Sequence, residues 1–157
     1  MTESPVNRAE NWMAFWRLHY HLVWSTYGRE PLIDSIRERI VHPCVYGKAK
    51  ELGLLIHAIG GVADHVHVVA SIPPRLNVAE CVGKLKGASS RRVNRELGGA
   101  AFRWQGGYGA LSIGERSLPK VIAYVCNQQV HHGTGRPIAI YERCMAHDDG
   151  VGSVIDG

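Results

Sequence analysis

The sequence predicts an α+β fold: an antiparallel sheet in a split βαβ pattern, two long helices on one face, and a further C-terminal helix. Three observations carry that prediction. Residues 17–25 and 64–72 alternate in the two-residue period of a half-buried strand. Two long segments each open on an N-capping residue, Asp34 or Asn77, and close on glycine. The strand and helix segments then fall in the order β-α-β-β-α-β, followed by one more helix. At 157 residues the chain is long enough to bury one core and too short for two ordinary domains.

Residues 1–12 are a polar lead-in. From Arg17 to Ser25, Leu18, Tyr20, Leu22 and Trp24 share one face, while Arg17, His19, His21 and Val23 share the other. Gly28–Pro31 makes a turn, and Asp34 caps a helix over Ser35–Leu52 that stops at Gly53. Leu54–Val62 is a second strand, broken by Gly60-Gly61, and Asp64–Ile72 a third, stopped by Pro73-Pro74. The short gap between them predicts a hairpin. Asn77 caps a second helix to Leu97 with an apolar stripe of Val78, Val82, Leu85 and Val93, and Gly98-Gly99 ends it. Phe102–Gln105 starts a fourth strand, with the glycine-rich stretch to Gly109 after it. Ser117 and Pro119 open a third helix that runs to about His132. The chain therefore reads as one domain over 13–133 with a tail over 134–157.

This order is ferredoxin-like. Both long helices cover one face of the sheet, and the other face is expected to be open. Val66, Val68, Ala70 and Ile72 should meet the helices, which puts His65 and His67 on the open face.

A composition of 45% hydrophobic and 20% charged residues excludes a disordered or fibrous chain. The longest apolar run, Gly53–Ile72, is interrupted by His57, Asp64, His65 and His67, so no membrane span is expected. No apolar segment near the start reads as a secretory signal. Cys44, Cys81, Cys126 and Cys144 contain no CxxC pair and read as reduced thiols of a cytoplasmic protein. Lys plus Arg number 18 against 14 Asp plus Glu, a net charge of +4 that favours a polyanionic partner.

The nine histidines hold the chemistry. His65-Val66-His67 puts two imidazoles on one face of a strand, about 7 Å apart along the chain, where they can converge on a divalent ion. Two hydrogen-bonded histidines would give the same spacing. His19 and His21 form a second such pair on the first strand, a central neighbour of the third in this fold. A four-histidine zinc site is therefore one alternative. His131-His132 adjoin on a helix, where neighbours diverge. In the last helix Tyr124 and Gln128 lie one turn apart, beside Leu118, Val121, Ile122 and Val125. Packing alone accounts for a tyrosine at such an edge. A metal held by His65, His67 and the Gln128 carbonyl would instead leave positions for a phosphate oxygen, with the Tyr124 hydroxyl a turn away for attack.

Four motifs in order then bear a family likeness: Tyr20-His-Leu-Val-Trp24 with Arg29-Glu-Pro-Leu-Ile33, Asp64-His-Val-His67, Trp104-Gln-Gly-Gly-Tyr-Gly109 and Tyr124-Val-Cys-Asn-Gln128. From Tyr20 to His132 the chain resembles the small single-tyrosine HUH transposases of the simplest bacterial and archaeal insertion sequences, the IS200-like family. The related repeat-associated tyrosine transposases usually differ after the tyrosine. The resemblance implies a tyrosine nucleophile at Tyr124 and a catalytic divalent cation, Mg or Mn, on His65, His67 and Gln128. It implies single-stranded DNA with hairpins at the element ends as substrate, and a homodimer in which the tyrosine helix of one subunit can serve the histidines of the other. Gly106, Gly107, Gly109 and Gly114 leave room for such a crossing, or for a tight turn within one subunit. His19 is a departure from the family pattern.

For DNA binding the sequence offers Lys84, Arg91 and Arg95 on one side of the second helix, Lys86 on the other flank and Arg92 intruding on the apolar stripe. Trp24, Trp104 and Tyr108 are the aromatic candidates for base stacking. Two other classes stay open on residues alone: a non-catalytic ferredoxin-like nucleic-acid-binding module, and a zinc hydrolase built on the histidine cluster.

Overall fold

The structure is a computed structural model and describes residues 15–128. Four strands, β1 (His19–Ser25), β2 (Leu55–Val62), β3 (His65–Ser71) and β4 (Gly109–Ile113), alternate with helices α1 (Ser35–Leu52), α2 (Val78–Leu97) and α3 (Leu118–Cys126). The sheet order is β2-β3-β1-β4 and every pair is antiparallel. The α+β, split βαβ expectation is met, with β1 and β3 as central neighbours. The lead-in over 1–12 and the tail over 134–157 lie outside the described residues, as do His131 and His132.

Local chemistry sets the two long helices. The Asp34 carboxylate accepts from the Arg37 backbone N–H at 2.8 Å, and the Asn77 carboxamide oxygen accepts from that of Glu80 at 3.1 Å. At the far ends Gly53 (φ 86°) and Gly98 (φ 69°) take the left-handed conformation that glycine adopts without a Cβ clash. α1 and α2 pack against each other and against one face of the sheet. Val41, Val45 and Ala49 of α1 and Val82, Leu85 and Val93 of α2 meet Leu22, Trp24, Val66, Val68 and Ala70.

Two expectations needed correction. Phe102–Gln105 is not the fourth strand. Phe102 and Trp104 are core plugs whose rings pack edge to face at 4.9 Å, and only Trp104 forms a bridge, to Thr26. The strand forms after the glycines, at Gly109–Ile113, and pairs with β1. Its Gly, Ala and Ser residues give little hydrophobic alternation to read, whereas a bulky aromatic pair mimics a strand.

The second correction concerns the open face. It is covered by α3: Val121, Tyr124 and Val125 pack on Ala58 of β2, Val69 of β3 and Ile113 of β4. Gly60 makes the seat, because a Cβ there would lie 1.9 Å from the Val125 carbonyl oxygen. His65, at 3% exposure, and His67, at 0%, are therefore buried rather than displayed. α3 is described over Leu118–Cys126 with Asn127 as its C-cap, and the expected continuation of a helix to His132 lies outside the described residues. Among the described residues no helix is long and apolar enough to cross a membrane.

Candidate active site

β3 brings His65 and His67 to the α3 face with ring centroids 5.0 Å apart. Each ring is held through Nδ1 by a different neighbour. His65 Nδ1 is 2.6 Å from Oδ1 of Asp64, whose other oxygen lies 3.9 Å from Arg29 Nε. Arg29 reaches that position from a left-handed backbone conformation (φ 53°) in the turn after β1. His67 Nδ1 is 2.7 Å from His21 Nε2, and those two rings stack at 5.0 Å with 19° between their planes.

Tyr124 faces this pair from α3. Its ring stands edge-on to His67 with centroids 6.3 Å apart, and the residue is 4% exposed. Gln128, 1% exposed, lines a cleft of about 270 Å³ with Gly60, Val125, Asn127 and, from α1, Glu38 and His42. Gly60 is also the register partner of His67 on β2, so the carboxamide and the imidazole adjoin the same backbone position. Tyr124, His65, His67 and Gln128, picked from four places in two motifs, thus gather on one face of one chain.

The donor chemistry fits a divalent cation. Two neutral imidazoles with Nδ1 engaged would offer Nε2, and a buried carboxamide would offer a carbonyl oxygen. This N,N,O set carries no charge of its own, so a bound cation keeps its full charge for a phosphate oxygen. The four-histidine alternative has no such support: among the described residues no group of three or more His, Cys, Asp or Glu is gathered for a metal. The histidines divide instead. His19 Nδ1 lies 2.7 Å from the Ser71 hydroxyl and His57 Nε2 2.6 Å from the same oxygen, on a stretch of β2 where the register shifts. Burial and the neighbouring His19 hold the His57 imidazole below its ordinary value.

Sequence reasoning missed His42, Glu38 and the orienting role of Asp64. His42 and Glu38 sit one turn apart on α1 and also line a cleft of about 330 Å³ with His65. Burial lowers the His42 pKa against the pull of Glu38, 3.9 Å away. Their i, i+4 spacing was readable, but nothing in the sequence put α1 beside the β2–β3 hairpin.

The basic residues lie on the opposite side of the sheet from Tyr124. Lys84, Arg91 and Arg95 are exposed on α2. Arg91 and Arg95 join Arg39, Lys48 and Arg92 along a groove of about 780 Å³ between α1 and α2. Arg92 does not intrude on the apolar stripe; it is exposed and paired with Glu96. Lys86 is committed to the fold, donating to the carbonyls of Gln105 at 2.7 Å and Gly107 at 2.8 Å and so pinning the glycine-rich loop. Trp24, Trp104 and Tyr108 pack in or against the core.

Residues 14–128 match the family model described as transposase IS200-like. The transposase for insertion sequence element IS200 of Salmonella typhimurium is 25% identical over 131 residues, covering 80% of this chain and 86% of that protein. The ISDra2 transposase TnpA of Deinococcus radiodurans is 26% identical over 121 residues, with coverages of 72% and 85%. Among solved structures, a Deinococcus radiodurans chain described as a transposase superposes with a TM-score of 0.58 at 25% identity, over 73% of this chain and 93% of that one. A REP-associated tyrosine transposase bound to a REP hairpin superposes with a TM-score of 0.59 over 92% of this chain and all (100%) of that one; at 14% identity this shows a shared fold.

Proposed function

The chain belongs to the IS200-like transposase family, and from that premise we propose that it cuts and rejoins single-stranded DNA at element ends through a covalent 5′-phosphotyrosine on Tyr124. The observation that carries this reading is the Tyr124 ring 6.3 Å from His67, on a helix packed against Val69 of the same strand.

His65, His67 and Gln128 would hold the divalent cation, Mg or Mn, whose chemistry there is charge neutralisation on a non-bridging phosphate oxygen. Tyr124 supplies the nucleophile. Its oxygen forms a bond to phosphorus as the bond to the 3′ oxygen breaks, leaving a free 3′-hydroxyl. The phosphotyrosine keeps a phosphoester linkage, so a 3′-hydroxyl can reverse the step and rejoin the strand without ATP. That economy suits strand transfer, where a simple nuclease would use water. Asp64 orients the His65 ring, and α3 walls the site from solvent.

Lys84, Arg91 and Arg95 are the DNA-contacting residues of this reading, while Lys86 supports binding only through the loop it pins. Hairpin-bearing single strands are the substrate, a catalytic domain over 13–133 is the unit that acts, and a homodimer pairs two element ends in the cytoplasm. The test is incubation of the full chain with labelled single-stranded DNA from the flanks of its own gene. A denaturation-resistant protein–DNA adduct is expected with Mg or Mn and absent with chelator. Binding without any adduct would return the chain to the class of non-catalytic nucleic-acid-binding modules.

A further inference from the structure

The histidine pair on β1 stands outside the proposed ligand set, and its two members part company. His19 turns to Ser71, whereas His21 reaches a proposed ligand. The ladder explains why: the register pairs His21 with Val69 and His67 with Val23, so the two histidines are diagonal neighbours on one face. Both are deeply buried, at 1% and 0% exposure.

Hydrogen placement in this pair has a chemical consequence. A neutral imidazole carries its hydrogen on one nitrogen and a lone pair on the other. If His67 donates from Nδ1 to His21 Nε2, its own Nε2 presents a lone pair and can bind a cation. If His21 is the donor, the His67 hydrogen moves to Nε2 and that nitrogen cannot ligate. We propose that His21 is a positioning residue, accepting the Nδ1 hydrogen of His67 and thereby fixing its tautomer and ring plane for a divalent cation. Asp64 stands in the same relation to His65, through a carboxylate at 2.6 Å. An imidazole acceptor does this for His67 without adding negative charge beside an incoming phosphate. The inference rests on the reading of His67 as a metal ligand.

The experiment is titration of the full chain with Mn²⁺, without DNA, followed by electron paramagnetic resonance. Wild type is compared with His21→Leu, which fills the space but accepts nothing, His21→Gln, whose carbonyl oxygen can accept, and His67→Ala. Weakening of about 10- to 100-fold is expected for His21→Leu, as for other outer partners of metal-binding histidines. His21→Gln should recover most of the loss, and His67→Ala should lose the site. Wild-type Mn²⁺ affinity in His67→Ala would overturn the ligand reading itself. Loss in His67→Ala with normal affinity in His21→Leu, or no recovery in His21→Gln, would overturn the role of His21 alone. Should His21→Leu fail to fold, long-range proton–nitrogen spectra of the metal-free wild type still decide. A His67 ring bearing its hydrogen on Nδ1 is expected, and one bearing it on Nε2 would overturn the proposal.

Discussion

Tyr124 is the residue whose chemistry and packing can be separated most cleanly. Its ring contributes to the cluster of Val121, Val125, Val69 and Ala58, while its hydroxyl is the group the proposed reaction uses. Tyr124→Phe keeps the ring and removes only the oxygen. The variant should fold and bind hairpin DNA as the wild type does and yield no covalent adduct, read on a denaturing gel. Adduct at the wild-type level would remove Tyr124 as nucleophile. The same scale shows how far residue types could be read in advance. Spacing and family likeness point to Tyr124, His65, His67 and Gln128, and the fold brings the Tyr124 ring beside the His65–His67 pair. The bond between His21 and His67 was not readable, because the two are far apart in sequence and meet only through strand register.

Among the elements, α3 is the decisive one, and it depends on a glycine. Gly60 lets the Val125 carbonyl come so close that a Cβ would overlap it at 1.9 Å. The overlap is with backbone, which cannot rotate out of the way. Gly60→Ala should therefore lift α3 from β2, costing about 1–3 kcal/mol by overpacking. Thermal unfolding would measure that loss, with a fall in adduct yield larger than the fall in hairpin binding. Unchanged stability would mean that α3 is not held at this point. α2 carries a second, separable prediction. Exchanging Lys84, Arg91 and Arg95 together for neutral residues should flatten the salt dependence of single-strand binding, each neutralised phosphate contributing about −0.7 to the log–log slope. An unchanged slope would move the DNA surface off this helix. Lys86 is best left out of that set, because its ammonium supports the 105–107 loop and its loss would confuse folding with binding.

At the scale of the whole molecule, the two faces of the sheet have divided the work. One carries α1, α2 and the basic groove; the other carries α3 and the candidate active site. In the proposed function, phosphate contacts on one side and cleavage on the other would require a strand that passes around the sheet, or two subunits acting on one DNA. Subunit exchange of the tyrosine helix is testable against this geometry. Gly114–Ser117 is all that joins β4 to α3, and within a single chain it already brings Tyr124 to His67. Mixed dimers of Tyr124→Phe with His65→Ala,His67→Ala chains decide between the two arrangements. The crossing that the family likeness implies is expected to give adduct on the histidine-mutant chain alone, and no adduct would mean that each chain completes its own site.

The sequence by itself determined the α+β class, both long helices to their capping residues and the β2–β3 hairpin. Caps, glycine stops and strand alternation are local, so they are written where they act. Tertiary structure alone decided three things: that α3 closes the face expected to be open, that β4 forms after the glycines rather than at Phe102, and that His21 bonds to His67 while His19 goes to Ser71 and His65 to Asp64. Each of these depends on which distant backbone comes alongside. A one-residue change of register on β1 would send His21 to the other face and leave His67 without that neighbour, with no change in composition or spacing.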